Sequence, residues 1–131
     1  MKLSLIKSSI EYRLSMGKKL PNDDVLASFL FEAVYYVAGK CTPFKLLKSY
    51  SDYEENVLRP LDGARFISVP EYPDLTKTER HLLIDEDLTY AVVYYVCFII
   101  SSDASHKMMA DEIINEHISK EGDGNHGTNS I

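Results

Sequence analysis

The four histidines, at positions 81, 106, 117 and 126, are the residues best equipped for metal or proton chemistry, and their spacing argues against a shared metal. His106 and His117 lie eleven residues apart, which on a helix is about three turns or ~16 Å, too far to hold one ion. Each histidine therefore reads as a surface or interface residue. Asp85, Glu86 and Asp87 put three carboxylates in a row. Acids that open a helix more simply complement its free N–H groups and its macrodipole. Asp111, Glu112 and Glu116 share helical spacing, but no second helix offers the Glu-x-x-His of a di-iron site. Cys41 and Cys97 are too few and too distant for a zinc framework, and nothing suggests a disulfide, which points to a reducing cytoplasm. There is no Gly-rich phosphate loop and no GxSxG, and the glycines at 122, 124 and 127 precede no helix that could complete a phosphate site. The expectation is a non-enzyme without metal or cofactor. A pocket lined by Tyr94, Tyr95 and His117 is the enzymatic alternative.

With little chemistry to position, the elements matter for how they pack. The most apolar stretch is LLIDEDLTYAVVYYVCFIIS, Leu82 to Ser101. Leu88, Ala91, Val92, Tyr95 and Ile99 form one face at three-and-four spacing, and Val93, Val96 and Ile100 form a second. A helix apolar nearly all round must be covered on most sides. Its uncharged part, Leu88 to Ser102, has fifteen residues, short of the roughly 20 needed to cross a bilayer. It reads as the central helix of a small bundle, with Cys97 as a small buried residue.

Around it, Leu3, Ile6, Ile10 and Leu14 give an amphipathic first helix over 3–16, with Gly17 as its C-cap. The second helix follows the turn at Pro21 and runs to about Ala38, with Leu26, Phe29, Leu30, Ala33, Val34 and Val37 inward and Gly39 closing it. It shares a tyrosine doublet with the central helix (Tyr35-Tyr36, Tyr94-Tyr95), and the two helices are expected to pack together with rings buried and hydroxyls at the edge. Phe44 to about Tyr53 reads as a short helical piece. Residues 56–81 carry Pro60, Gly63, Pro70 and Pro73, and Arg65–Val69 alternates as a strand does. A segment this long is expected to form a strand or hairpin with a partner in this chain or in a neighbour. Ala104–Lys120 is the last helix, with Met109, Ile113 and His117 along one line. Residues 121–131, EGDGNHGTNSI, have too little apolar content to offset the entropy of ordering and read as a flexible tail after a single domain over 1–120.

The chain of 131 residues is 45% hydrophobic and 26% charged, enough to bury one core, with a formal charge of −6. Residues 1–60 hold nine Lys/Arg against seven Asp/Glu, and 61–131 hold five against thirteen. An acidic second half disfavours nucleic acid as the main ligand, since phosphate binding needs a basic face.

The order of these features resembles that of the head-to-tail connector, or adaptor, proteins of tailed double-stranded DNA phages and prophages. The resemblance is carried by FLFEAVYYVAGKCTP, by Phe66 to Pro70 within RFISVPEYPDL, by the acids Asp85 to Asp87, by Leu88, Ala91, Val92, Tyr94 and Tyr95, and by ADEIINEH after a small-residue turn. It spans roughly residues 3–120. It implies a mainly α fold, a helical bundle of four to five helices with a short strand or hairpin before the central helix. The implied role is structural: a ring of about a dozen copies under the portal, joining the DNA-filled head to the tail. The implied partners are further copies of itself, the portal and a tail-side connector or tail protein. DNA only passes through the channel and no membrane is involved. The protein would be made in the bacterial cytoplasm and end in the virion. Arg65, Phe66, Ile67, Val69 and Tyr72 are then the candidate self-assembly interface. Ile118, His126 and Ile131 are the candidate partner-binding tail. That tail departs from the family in being glycine-rich, with Ile131 almost its only apolar anchor. The alternative from another class is a small cytoplasmic regulator, of antitoxin or inhibitor type, acting on one protein partner.

Overall fold

The computed structural model describes the backbone of residues 1–15, 17–50 and 56–129, and side chains as far as Glu121. Among the described residues the chain is mainly helical: α1 (Leu3–Arg13), α2 (Asp23–Lys40), α3 (Thr89–Ser101) and α4 (Ala104–Asn129). Between α2 and α3 lie β1 (Leu47–Ser49), β2 (Val57–Pro60) and β3 (Arg65–Ser68), an antiparallel sheet in the order β1-β3-β2. Among these residues no helix is long and apolar enough to cross a membrane.

The apolar α3 is the hub, packed against α1, α2 and α4. Leu88, Ala91, Val92, Val93, Val96 and Cys97 are fully buried, so both apolar faces of the helix are covered. A helix of this composition gains its stability from that burial, at about 25 cal/mol per Å² of apolar surface removed from water. Asn22 caps α2, its side chain accepting from Val25 N at 3.1 Å. Gly39 does not end α2, as the sequence suggests; the helix runs one residue further to Lys40. Arg59 of β2 then donates through Nη2 to Cys41 O at 2.6 Å, a cation placed on the free carbonyls of a helix C-terminus. α3 ends on Ser102, whose φ of +60° is the left-handed conformation of a helix cap, with its N–H donating to Phe98 O at 2.8 Å. Asp103 opens α4 by accepting from Ser105 N and Oγ at 2.9 and 2.8 Å.

The piece read as helical from Phe44 is one 3-10 turn, Phe44–Leu46, followed directly by β1. Lys48 pairs with Phe66 and Leu47 with Ile67, and this non-local pairing overrides a weak local preference. On the other side β2 pairs with β3 through a hairpin, with a register shift between Val57 and Arg59. Pro60 lies on this edge strand, where its missing N–H costs no ladder bond. The proline-rich chain that follows is held by backbone bonds to α1. Leu3 N donates to Arg80 O and Ser4 N to Thr78 O, and Leu82 N donates to Met1 O. The first two satisfy N–H groups at the start of α1, which has no side-chain cap. Leu75, Leu82 and Ile84 bury their side chains beneath it.

Candidate functional site

Each of the three consecutive acids has its own distant partner. Asp85 accepts from Phe44 N at 2.7 Å and Lys45 N at 2.8 Å, tying the 3-10 turn after α2 to the start of α3. Glu86 pairs with the Met1 amine. Asp87 accepts from His117 Nδ1 of α4 at 2.5 Å. The sequence suggests acids capping the helix itself; instead they form the 3-10 turn Glu86–Leu88 ahead of α3, make no side-chain cap, and fasten three separate parts of the chain to that turn.

His117 is the centre of this cluster. Read from the sequence as a surface or interface residue, His117 is buried, because it shares with Ala110 and Ile114 the inward face of α4. Its Nε2 is 2.8 Å from Glu121 Oε1, an ion-pair contact one turn further along α4. Burial favours the neutral imidazole, but the hydrogen bonds and charges of Asp87 and Glu121 outweigh it and hold the His117 pKa above its ordinary value. One donor atom from each of Asp85, Asp87 and His117 lies within 4.8 Å of the others, a set that could hold a metal ion. An open groove of about 600 Å³ runs beside it, lined by Phe44, Leu61, Arg65, Asp85, His117 and Glu121. Cys41 stands near enough to feel Glu121 and Asp85. Burial first, then those charges, push its thiol up to about 12, so it is neither a thiolate nucleophile nor a ready ligand.

The tyrosine doublets split. The rings of Tyr36 and Tyr95 stack across α2 and α3 with centroids 4.1 Å apart and planes 17° apart. The Tyr36 hydroxyl donates to Asp111 Oδ1 at 2.5 Å. Burial and that bond raise the Tyr36 pKa. Burial, with the charge of Glu32, raises that of Tyr95. Tyr94 instead meets the Arg13 guanidinium at 5.1 Å and stacks with His106. Tyr94, Tyr95 and His117 thus lie in different surroundings: Tyr95 on Tyr36, Tyr94 on Arg13, His117 on Asp87.

Of the residues read as core, Leu26, Leu30, Ala33, Val37, Leu88, Ala91 and Val92 are fully buried, while Phe29, Tyr95 and Ile99 are half-buried. Among the candidate assembly residues, Phe66 and Ile67 have no exposed surface. β3 is the central strand, with both edges already paired, so it cannot be lent to a neighbour without breaking the sheet. Arg65 is exposed at the groove and Val69 is half-buried. Tyr72 is 55% exposed, its ring 5.2 Å from that of Phe31, which also meets the exposed Tyr35. Ile118 is exposed on α4. Beyond Glu121 the backbone continues α4 to Asn129, past the Lys120 end suggested by the sequence, while residues 130–131 and the side chains from 122 on, that of His126 included, lie outside the described residues.

The His117–Asp87 contact spans thirty residues and no spacing rule finds it. The available signal is a histidine on the apolar line of a helix. Compared with known proteins, the chain matches no family model, no curated protein and no solved structure.

Proposed function

We propose that this chain is a structural subunit of head-to-tail connector type. It assembles as a ring of about a dozen copies beneath a portal and links a DNA-filled head to a tail. The observation that carries the reading is the order of elements. Two helices lead to a strand-and-proline insert, Arg65–Ser68 followed by Pro70 and Pro73. An acidic turn then opens the hub helix α3, and the small-residue turn Ser101-Ser102-Asp103 leads into α4. That is the sequence of features on which the resemblance rests. The aromatic patch of Phe31, Tyr35 and Tyr72 supports it, because a ring needs head-to-tail contacts between unlike surfaces of identical subunits. The exposed Glu112 and Glu116 of α4 would suit a channel wall that lets DNA pass without holding it.

The test begins with the neighbouring genes, where portal, capsid and tail genes are expected. The protein is then mixed with the portal encoded beside it, and the products are sized by mass photometry and viewed by electron microscopy. Rings of about a dozen subunits on the portal are the expected result. Absence of association, or a gene flanked by a toxin or a metabolic operon, overturns the reading.

A further inference from the structure

We propose that Asp85, Asp87 and His117 bind one divalent transition-metal ion of the Zn²⁺ class, with Glu121 orienting the histidine ring from its far side. The donor atoms already lie within 4.8 Å of one another. Four ligands at about 2.1 Å around a tetrahedral ion are separated by about 3.4 Å, so the site forms by small side-chain rotations. The Asp87–His117 contact at 2.5 Å opens by about an ångström, and no pair needs to close by more than about 1.4 Å.

Three observations favour an ion over a plain ion-pair network. His117 is 8% exposed, so a ring able to carry charge or bind a metal sits largely out of water. Three carboxylates, Asp85, Asp87 and Glu121, surround this single imidazole, and among the described residues no Lys or Arg forms an ion pair with any of them. Even a protonated ring leaves negative charge in excess. Asp85 is held in place by the Phe44 and Lys45 N–H groups, one to each oxygen, and each oxygen keeps a free lone pair.

When the ion binds, the proton on Nδ1 leaves to solvent and the metal takes its place, bonded also to one oxygen each of Asp85 and Asp87. The ring keeps one proton, on Nε2, taken back from solvent where the free ring was singly protonated, and this N–H faces Glu121 Oε1, already 2.8 Å away. This is the carboxylate–histidine–metal arrangement that fixes a ring's tautomer. The open groove supplies water for the fourth position. A set with one imidazole and two carboxylates suits Zn²⁺ or Mn²⁺ above Mg²⁺ or Ca²⁺.

The test is calorimetric titration of the chelator-treated full chain with ZnCl₂, with MgCl₂ as control, followed by a long-range ¹H–¹⁵N spectrum of the histidine side chains. One Zn²⁺ per chain is expected, with metallation of His117 Nδ1 and no saturable heat from Mg²⁺. His117→Gln should weaken binding at least tenfold and Glu121→Gln about tenfold, with His106→Gln unchanged. Absence of saturable Zn²⁺ binding, metallation confined to His81, His106 or His126, metallation through Nε2, or affinity unchanged in a folded His117→Gln protein each overturns the proposal. If His117→Gln does not fold, the spectrum of the unaltered protein decides. A protein that binds Zn²⁺ but never forms rings leaves this inference standing and removes the connector reading alone.

Discussion

Asp85→Ala is the most informative single change, because one carboxylate joins segments forty residues apart. Its two bonds, to Phe44 N at 2.7 Å and Lys45 N at 2.8 Å, are short and charge-assisted. Hydrogen bonds to charged groups contribute about 1.5–3 kcal/mol each. Both N–H groups belong to exposed residues and regain water when the carboxylate is removed, so the low end applies and the pair is worth about 2–3 kcal/mol. For a chain of this length each kcal/mol lowers Tm by about 3–5 °C, which gives a fall of roughly 6–15 °C. The assay is urea unfolding followed by far-UV circular dichroism in metal-free buffer, with a lower midpoint and unchanged m-value. Glu86→Ala is the control: its side chain is 68% exposed and pairs only at the surface, so its removal costs well under 1 kcal/mol. A loss below about 0.5 kcal/mol for Asp85→Ala, or equal losses for the two variants, refutes the bridging role.

Val92→Asp buries an unpaired charge at a position with no exposed surface. The cost rivals a domain's whole stability of about 5–15 kcal/mol, so the variant should show no cooperative unfolding transition; a folded variant by circular dichroism contradicts the burial. Tyr36→Phe removes the bond to Asp111 while keeping the stack on Tyr95, and should cost about 1–2 kcal/mol in chemical denaturation. Its pairing with Asp111→Ala in a double-mutant cycle should be strongly non-additive. Asp103 is held below the usual carboxylate range by hydrogen bonds from the backbone and side chain of Ser105. A depressed folded pKa contributes stability above the unfolded value of about 3.9 and loses it as pH falls through the folded value. Asp103→Asn keeps a cap without the charge, so the gap in stability between it and the unaltered protein should narrow as pH falls below about 4; a constant gap across that range contradicts the assignment.

The amino-acid sequence by itself determined the helices and what they bury. The three-and-four spacing of Leu3, Ile6 and Ile10, the inward run of α2 and the all-round apolar α3 are local patterns. A helix's hydrogen bonds close within the same segment, so its period can be read without knowing its neighbours. Only the tertiary structure decided the rest. The residues after Phe44 become β1 because β3 offers an edge, and a strand's hydrogen bonds belong to two segments at once. Phe66 and Ile67 alternate as strand residues on any reading, but their burial at the centre of the sheet rather than at an interface depends on which strands flank them. The acids at 85–87 are visible as a helix start, while their partners at Phe44, Met1 and His117 are not. Side-chain chemistry of this kind depends on distance in space, and the fold sets that distance by how α4 lies along α3.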